Sequence, residues 1–159
     1  MQPVRLLLIG AGVIGRTHID RIGRDPHLAL AGIAEPSAAG KALAEQLGVP
    51  WAASHLELLD RTQAQGAIVA TPNASHVGMA IDCLERGVAA LVEKPVADTV
   101  AEALALVQAQ QRTGVPVLVG HHRRHNPINS RARSILQEGR LGRVVTANVM
   151  CTVLKPDAY

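Results

Sequence analysis

The chain has 159 residues, 48% of them apolar but with no Phe, one Trp and one Tyr, a formal net charge of +3 and two cysteines. That length suffices for one domain of ordinary size with its own core, and the core must be built from Leu, Val, Ile and Ala, as suits a parallel sheet sandwiched by helices. Two isolated cysteines exclude a disulfide framework or a zinc site, no apolar run approaches the ~20 residues of a membrane span, and the chain opens into a strand rather than a signal peptide, so a reducing cytoplasm is expected.

The first stretch, VRLLLIGAGVIG from Val4 to Gly15, reads as a strand (Val4 to Ile9) entering a glycine turn and then a helix from Ala11 or Gly12 to about Ile22. Gly10, Gly12 and Gly15 have the spacing G-x-G-x-x-G. The first allows a tight turn, the second lets a pyrophosphate approach the main chain, and the third lets helix pack close to strand. The helix then directs its unpaired N–H groups and positive dipole end at the phosphates. His18, one turn from Ile14 and Ile22, reads as a satisfied core histidine.

A second strand, His27 to Ala34, ends at Glu35, twenty positions after Gly15. That carboxylate is placed to accept hydrogen bonds from an adenosine ribose diol. Pro36, Ser37, Ala38 and Ala39 follow it, with no nearby Lys or Arg for a 2′-phosphate. NAD is therefore favoured over NADP.

Ser37 is expected to cap a short helix ending at Leu47-Gly48. A brief strand near Pro50-Trp51 and a helix from His55 to Asp60, capped by Ser54, come next. Gly66 to Ala70 is a buried strand whose carboxyl end carries Thr71, Pro72 and Asn73, where a doubly wound sheet binds ligands. Asn73 or Ser75 is expected to cap the next helix, with His76 in its first turn as a cofactor contact or a capping residue. The strand Gly87 to Val92 ends in Glu93-Lys94-Pro95. A lysine beside a nicotinamide can hold a ribose hydroxyl, polarise a substrate oxygen and shuttle a proton. Thr99 to Arg112 is an amphipathic helix ended by Gly114, and Val115 to Val119 a sixth strand. Alternation of this kind gives a doubly wound parallel α/β sheet.

After Gly120 the character changes. From His121 to Arg143 there are six arginines and one acid, a net +5 against −2 for the rest. Stacking platforms for single-stranded nucleic acid need aromatics, and none is near, so no nucleic-acid partner is expected. Neighbouring histidines in HHRRH point different ways without a carboxylate or thiol, so no metal is expected. Arg123 or Arg124 can grip a carboxylate or phosphate by its bidentate fork. A helix from Pro127 to about Glu138, a turn at Gly139 to Gly142 and an alternating strand from Arg143 to Leu154 complete the chain.

Taken together, GAGVIGRTH (Gly10 to His18, with Val13 and Ile14 in the turn), Glu35, ATPNASH (Ala70 to His76), EKP (Glu93 to Pro95) and HHRRHNP (His121 to Pro127) resemble the Gfo/Idh/MocA oxidoreductases, the glucose–fructose and inositol dehydrogenase family. The resemblance implies an NAD(P)-binding Rossmann domain at residues 1–120 and the start of a second, α+β substrate and oligomerisation domain at 121–159. It implies that Lys94 is the catalytic lysine; the residues themselves place cofactor contacts at Gly10, Gly12, Val13, Ile14, Gly15, Glu35, Thr71, Pro72, Asn73, His76, Glu93 and Lys94, with Arg124, His122 and His125 at the substrate. Family members continue with a further half that completes an open sheet. The strand from Arg143 would have two unpaired edges here, so either the chain is a fragment or truncated product, or the strand pairs in a homo-oligomer. The implied activity is hydride transfer between nicotinamide and a sugar, polyol or cyclic hydroxy compound. The alternative is a dinucleotide-binding module without turnover.

Overall fold

The structure, a computed structural model, describes residues 2–150 and 152. Its elements alternate as the apolar runs and glycine stops dictate: β1 Val4–Ile9, α1 Val13–Arg24, β2 Leu28–Ala34, α2 Ala38–Leu47, β3 Trp51–Ala52, α3 His55–Arg61, β4 Gly66–Val69, α4 His76–Glu85, β5 Ala89–Val92, α5 Val100–Thr113, β6 Val117–Val119 and α6 Pro127–Gln137. The six strands form one parallel sheet in the order β3-β2-β1-β4-β5-β6.

Successive side chains of a strand point to opposite faces, and both faces are apolar. Leu8, Ile33 and Ile68 pack with Ile22 of α1 and Ala44 of α2. Leu7, Ile9, Val69 and Val92 pack with Leu58 of α3, Leu84 of α4 and Leu106 of α5. The chain therefore winds outward from β1 on one side, then crosses back to β4 and outward on the other. Reversal between β1 and β4 opens a crevice at the carboxyl ends of the strands.

Several local stops follow from side-chain chemistry. Ser37 accepts from Gly40 N, Gly48 ends α2 at φ 65°, and Thr99 with Glu102 forms a capping box at α5. Two expected caps do not form. Ser54 makes no side-chain cap, and Asn73–Ser75 is a 3-10 turn before α4. There the Ser75 hydroxyl turns back to Thr71 Oγ1 and Pro72 O, both at 2.8 Å.

By its contacts the chain divides into two units, one through His121 and one from His122. In the second, His122–His125 is a 3-10 turn and Asn126 caps α6, its Oδ1 accepting from Ile128 N at 2.8 Å. The strand expected from Arg143 to Leu154 does not form over residues 143–150; Cys151 and residues 153–154 lie outside the described residues. Alternation creates a strand only where a ladder partner exists, and among the described residues 143–150 have none.

Candidate functional site

Gly10 adopts φ +92°, and a Cβ there would lie 2.6 Å from Ala70 O and 2.8 Å from Thr71 Cγ2. Only glycine permits the turn and the close approach of β1 to the β4 loop. At Gly15 a Cβ would meet Gly10 O at 2.0 Å, so the third glycine seats α1 against the turn. Gly12 is different: a Cβ there meets nothing within 4 Å. Its exposed main chain begins α1 without a side-chain cap or an acid in the first turn, and Val13 and Ile14 beside it are exposed. The positive helix end is thus left for an external anion.

Glu35 lies at the end of β2. Its Oε2 accepts from Ala11 N at 2.9 Å and its Oε1 from Ser37 N at 3.1 Å. Gly40 lets α2 pass over the carboxylate's stem, since a Cβ there would fall 1.9 Å from Glu35 Cγ. Partial burial pushes the carboxyl up, but the two backbone donors, the Ser37 side chain and the nearby Arg16 charge outweigh it, and the acid sits below its ordinary range. The two backbone donors and the Ser37 side chain draw on the carboxylate's roughly four lone-pair sites without filling them, so capacity remains for a ligand hydroxyl. Arg16, not anticipated from the sequence, is held with its Nε donating to Ala11 O at 3.2 Å.

Thr71 and Pro72 line, with Gly10, Gly12, Glu35 and Pro36, a hollow of about 390 Å³, and Asn73 is exposed beside them. His76 is not available as a direct cofactor contact. Its ring is 1% exposed, with Nδ1 2.8 Å from Pro95 O and Nε2 2.8 Å from Thr71 O. It is a strut that ties the loop after β4 to the loop after β5. Periodicity places such a residue on a helix face but cannot report the carbonyls opposite it.

Glu93, expected at the cofactor, is spent inside the protein. Its Oε1 lies 3.0 Å from His18 Nε2, its Oε2 accepts from Lys94 N at 3.2 Å, and its carboxyl packs close on Gly120, where a Cβ would lie 3.0 Å from it. His18 is satisfied as expected, but by this carboxylate rather than within an apolar face. Lys94 itself is exposed at the end of β5, and its ammonium makes no hydrogen bond among the described residues. Glu35 and Lys94 end strands three inter-strand spacings apart, ~14 Å along the sheet edge, with the glycine turn and Thr71 between them.

In the second unit, His122, Arg124 and His125 are exposed on their 3-10 turn. Arg124 and His125 line, with Arg123, Asn129, Ser130 and Arg133, a hollow of about 740 Å³. Among the described residues no three or more His, Cys, Asp or Glu gather into a metal-holding group, and no helix is long and apolar enough to cross a membrane.

Residues 4–121 match the model of an oxidoreductase family with an NAD-binding Rossmann fold. The chain is 35% identical over 140 residues to a myo-inositol dehydrogenase of Streptomyces leeuwenhoekii, covering 86% of this chain and 42% of that protein. It is 29% identical over 142 residues to the rhizopine catabolism protein MocA of Rhizobium meliloti, covering 89% and 45%. Among solved structures, the WlbA dehydrogenase of Bordetella pertussis, in complex with NADH and UDP-GlcNAcA, superposes with a TM-score of 0.84 at 26% identity, over 89% of this chain and 44% of that one. The chain thus spans less than half the length of these relatives.

Proposed function

Because the chain belongs to the Gfo/Idh/MocA family of NAD-binding oxidoreductases, we propose that it is the cofactor-binding portion of an NAD-dependent dehydrogenase acting on a sugar, polyol or cyclic hydroxy compound. The observation that carries this reading is one sheet edge holding an open helix start at Gly12, a carboxylate with spare lone pairs at Glu35 and an unpaired ammonium at Lys94. The residues fit the dinucleotide: a Cβ would fill the turn at Gly10 and Gly15 yet meets nothing at Gly12. Bound there, the nicotinamide group would supply the hydride acceptor.

The main-chain N–H groups at Gly12, Val13 and Ile14 hold the phosphates, and Glu35 holds the ribose hydroxyls. The loop of Thr71, Pro72 and Asn73 walls the cleft, while His76 and Glu93 fix the loops around it. As its neutral amine Lys94 takes the proton lost from the substrate hydroxyl, and as the ammonium so formed it polarises the carbonyl oxygen and returns that proton in the reverse direction. Arg124, with His122 and His125, binds an anionic or hydroxyl-rich part of the substrate. In the catalytically active protein, Lys94→Met is expected to lower kcat by roughly 10²–10⁴-fold while fluorescence titration finds NADH affinity within about threefold of the wild type. Undiminished turnover removes Lys94 from the proton step.

The second reading, nucleotide binding without turnover, is favoured by the 42–45% coverage of the relatives. Incubating the chain with NAD and a panel of polyols, and following NADH absorbance, separates the two. Cofactor binding with no NADH formed supports the second.

Two finer readings accompany the first. A reducing cytoplasm suits Cys83, a free, buried thiol that burial, with Asp82, pushes up to about 12. Self-association suits residues 143–150, where Val145, Val149 and Met150 are 83%, 92% and 90% exposed. Light scattering is expected to show mass rising with concentration, and a monomer at high concentration would remove that reading.

A further inference from the structure

We propose that His55 reads the base of the bound dinucleotide, accepting a hydrogen bond at Nδ1 from the exocyclic amine of adenine, and that Asp82 positions it by fixing the imidazole tautomer. The inference rests on the nucleotide reading above and extends it to a residue outside every motif of the sequence. His55 begins α3 and lines the hollow that also holds Gly12 and Glu35. Pro36, Ala53, Pro72 and Met79 give that wall apolar surface, which suits the flat face of a purine, while the Thr71 and Ser75 hydroxyls beside them are bonded to each other. His55 brings a polar ring to it.

The tautomer follows from the partner. His55 Nε2 lies 2.8 Å from Asp82 Oδ2 on α4. A carboxylate only accepts, so the proton of a neutral ring sits on Nε2 and Nδ1 keeps its lone pair. Asp82 is not part of the hollow's wall. Among the described residues Nδ1 makes no hydrogen bond and no sealed side-chain nitrogen or oxygen lacks a partner, so Nδ1 is open to solvent. The residue thus offers an acceptor to whatever enters. Adenine presents a matching amine donor. Hypoxanthine, with a carbonyl oxygen at the same carbon, presents an acceptor and leaves both groups unsatisfied.

The test is calorimetry on the full chain with NAD and with nicotinamide hypoxanthine dinucleotide, which differ at C6 of the base and in the proton that hypoxanthine carries on the adjacent N1. The wild type is expected to bind NAD about tenfold more tightly. In His55→Leu the two ligands should fall within about twofold of each other. In Asp82→Ala the ring is free to place its proton on Nδ1, and the hypoxanthine analogue should gain affinity, an improvement that a merely structural Asp82 would not produce. Equal affinities in the wild type, or an undiminished preference in His55→Leu, overturn the assignment while leaving the nucleotide site in place. The wild-type comparison decides the matter even if a variant fails to fold. Binding of neither ligand would overturn both the assignment and the nucleotide reading beneath it.

Discussion

Alanine at Gly15 is expected to lower the melting temperature by roughly 6–12 °C and to abolish measurable NAD binding, while alanine at Gly12 leaves folding intact and weakens NAD binding at least about tenfold. The contrast comes from what each new methyl would meet. At Gly15 the Cβ falls 2.0 Å from Gly10 O and 3.0 Å from Gly10 C. Neither atom can yield: Gly10 sits at φ +92°, hard against Ala70, and its N–H donates to Ala34 O at 2.9 Å. Helix α1 must therefore move off the turn, an overpacking cost of about 3 kcal/mol, at roughly 2–4 °C per kcal/mol for a chain of this size. At Gly12 the methyl meets nothing within 4 Å, and φ −68°, ψ −165° is open to alanine. The smaller entropy of the unfolded chain even stabilises such a variant slightly. Any loss of binding at Gly12 is then a ligand effect, and thermal unfolding with calorimetry on the same samples separates the two. A Gly12→Ala protein that binds NAD like the wild type would move the phosphates away from this turn.

What could be read from residues alone was whatever depends on near neighbours. The glycine spacing, the apolar strands with their glycine stops and the cap at Ser37 are local patterns, and the elements they imply are present. What could not be read depends on groups far along the chain. His76 stands in the first turn of its helix, as its spacing implies, but its use is set by carbonyls at Thr71 and Pro95 on two different loops. Glu93 stands in a motif that suggests a ligand contact, yet its carboxylate turns to His18, 75 positions earlier. Arg16 comes near Glu35 only because β1 and β2 lie side by side. The alternation after Arg143 carries a strand's pattern, but a strand also needs an edge to pair with, and no pattern within one segment reports whether that edge exists. The substrate side of the site has the same difficulty, because an exposed Arg124 shows charge and reach without showing what it meets.

The choice between NAD and NADP turns on Glu35, and Glu35→Gln is expected to erase most of it. A 2′-phosphate held near this carboxylate meets like charge. Two unit charges about 4 Å apart repel by ~4 kcal/mol at a partly buried site and ~1 kcal/mol in water. Glu35 is half-buried, so about 2 kcal/mol, or roughly 30-fold in affinity, is expected in favour of NAD. Arg16 keeps its charge although its Nε donates to Ala11 O, and it offsets part of that repulsion. Glutamine keeps the shape and removes the charge, and the preference should fall to within about threefold. Acid should act like the mutation, but late. The group's folded value is lowered, so selectivity persists below the ordinary carboxylate range and fades only as pH falls through that lower value. Stability has the same sign: the depressed group contributes above the unfolded carboxyl's ordinary value and loses that contribution as pH drops through the folded one. Glu35→Gln should therefore flatten the acid limb of a urea-unfolding series. It should also weaken the fold at neutral pH, because an amide nitrogen cannot accept from whichever of Ala11 N or Ser37 N it faces. Titrations with NAD and NADP across that pH range read the two effects together. Equal affinities in the wild type would show that this carboxylate does not stand beside the adenosine ribose.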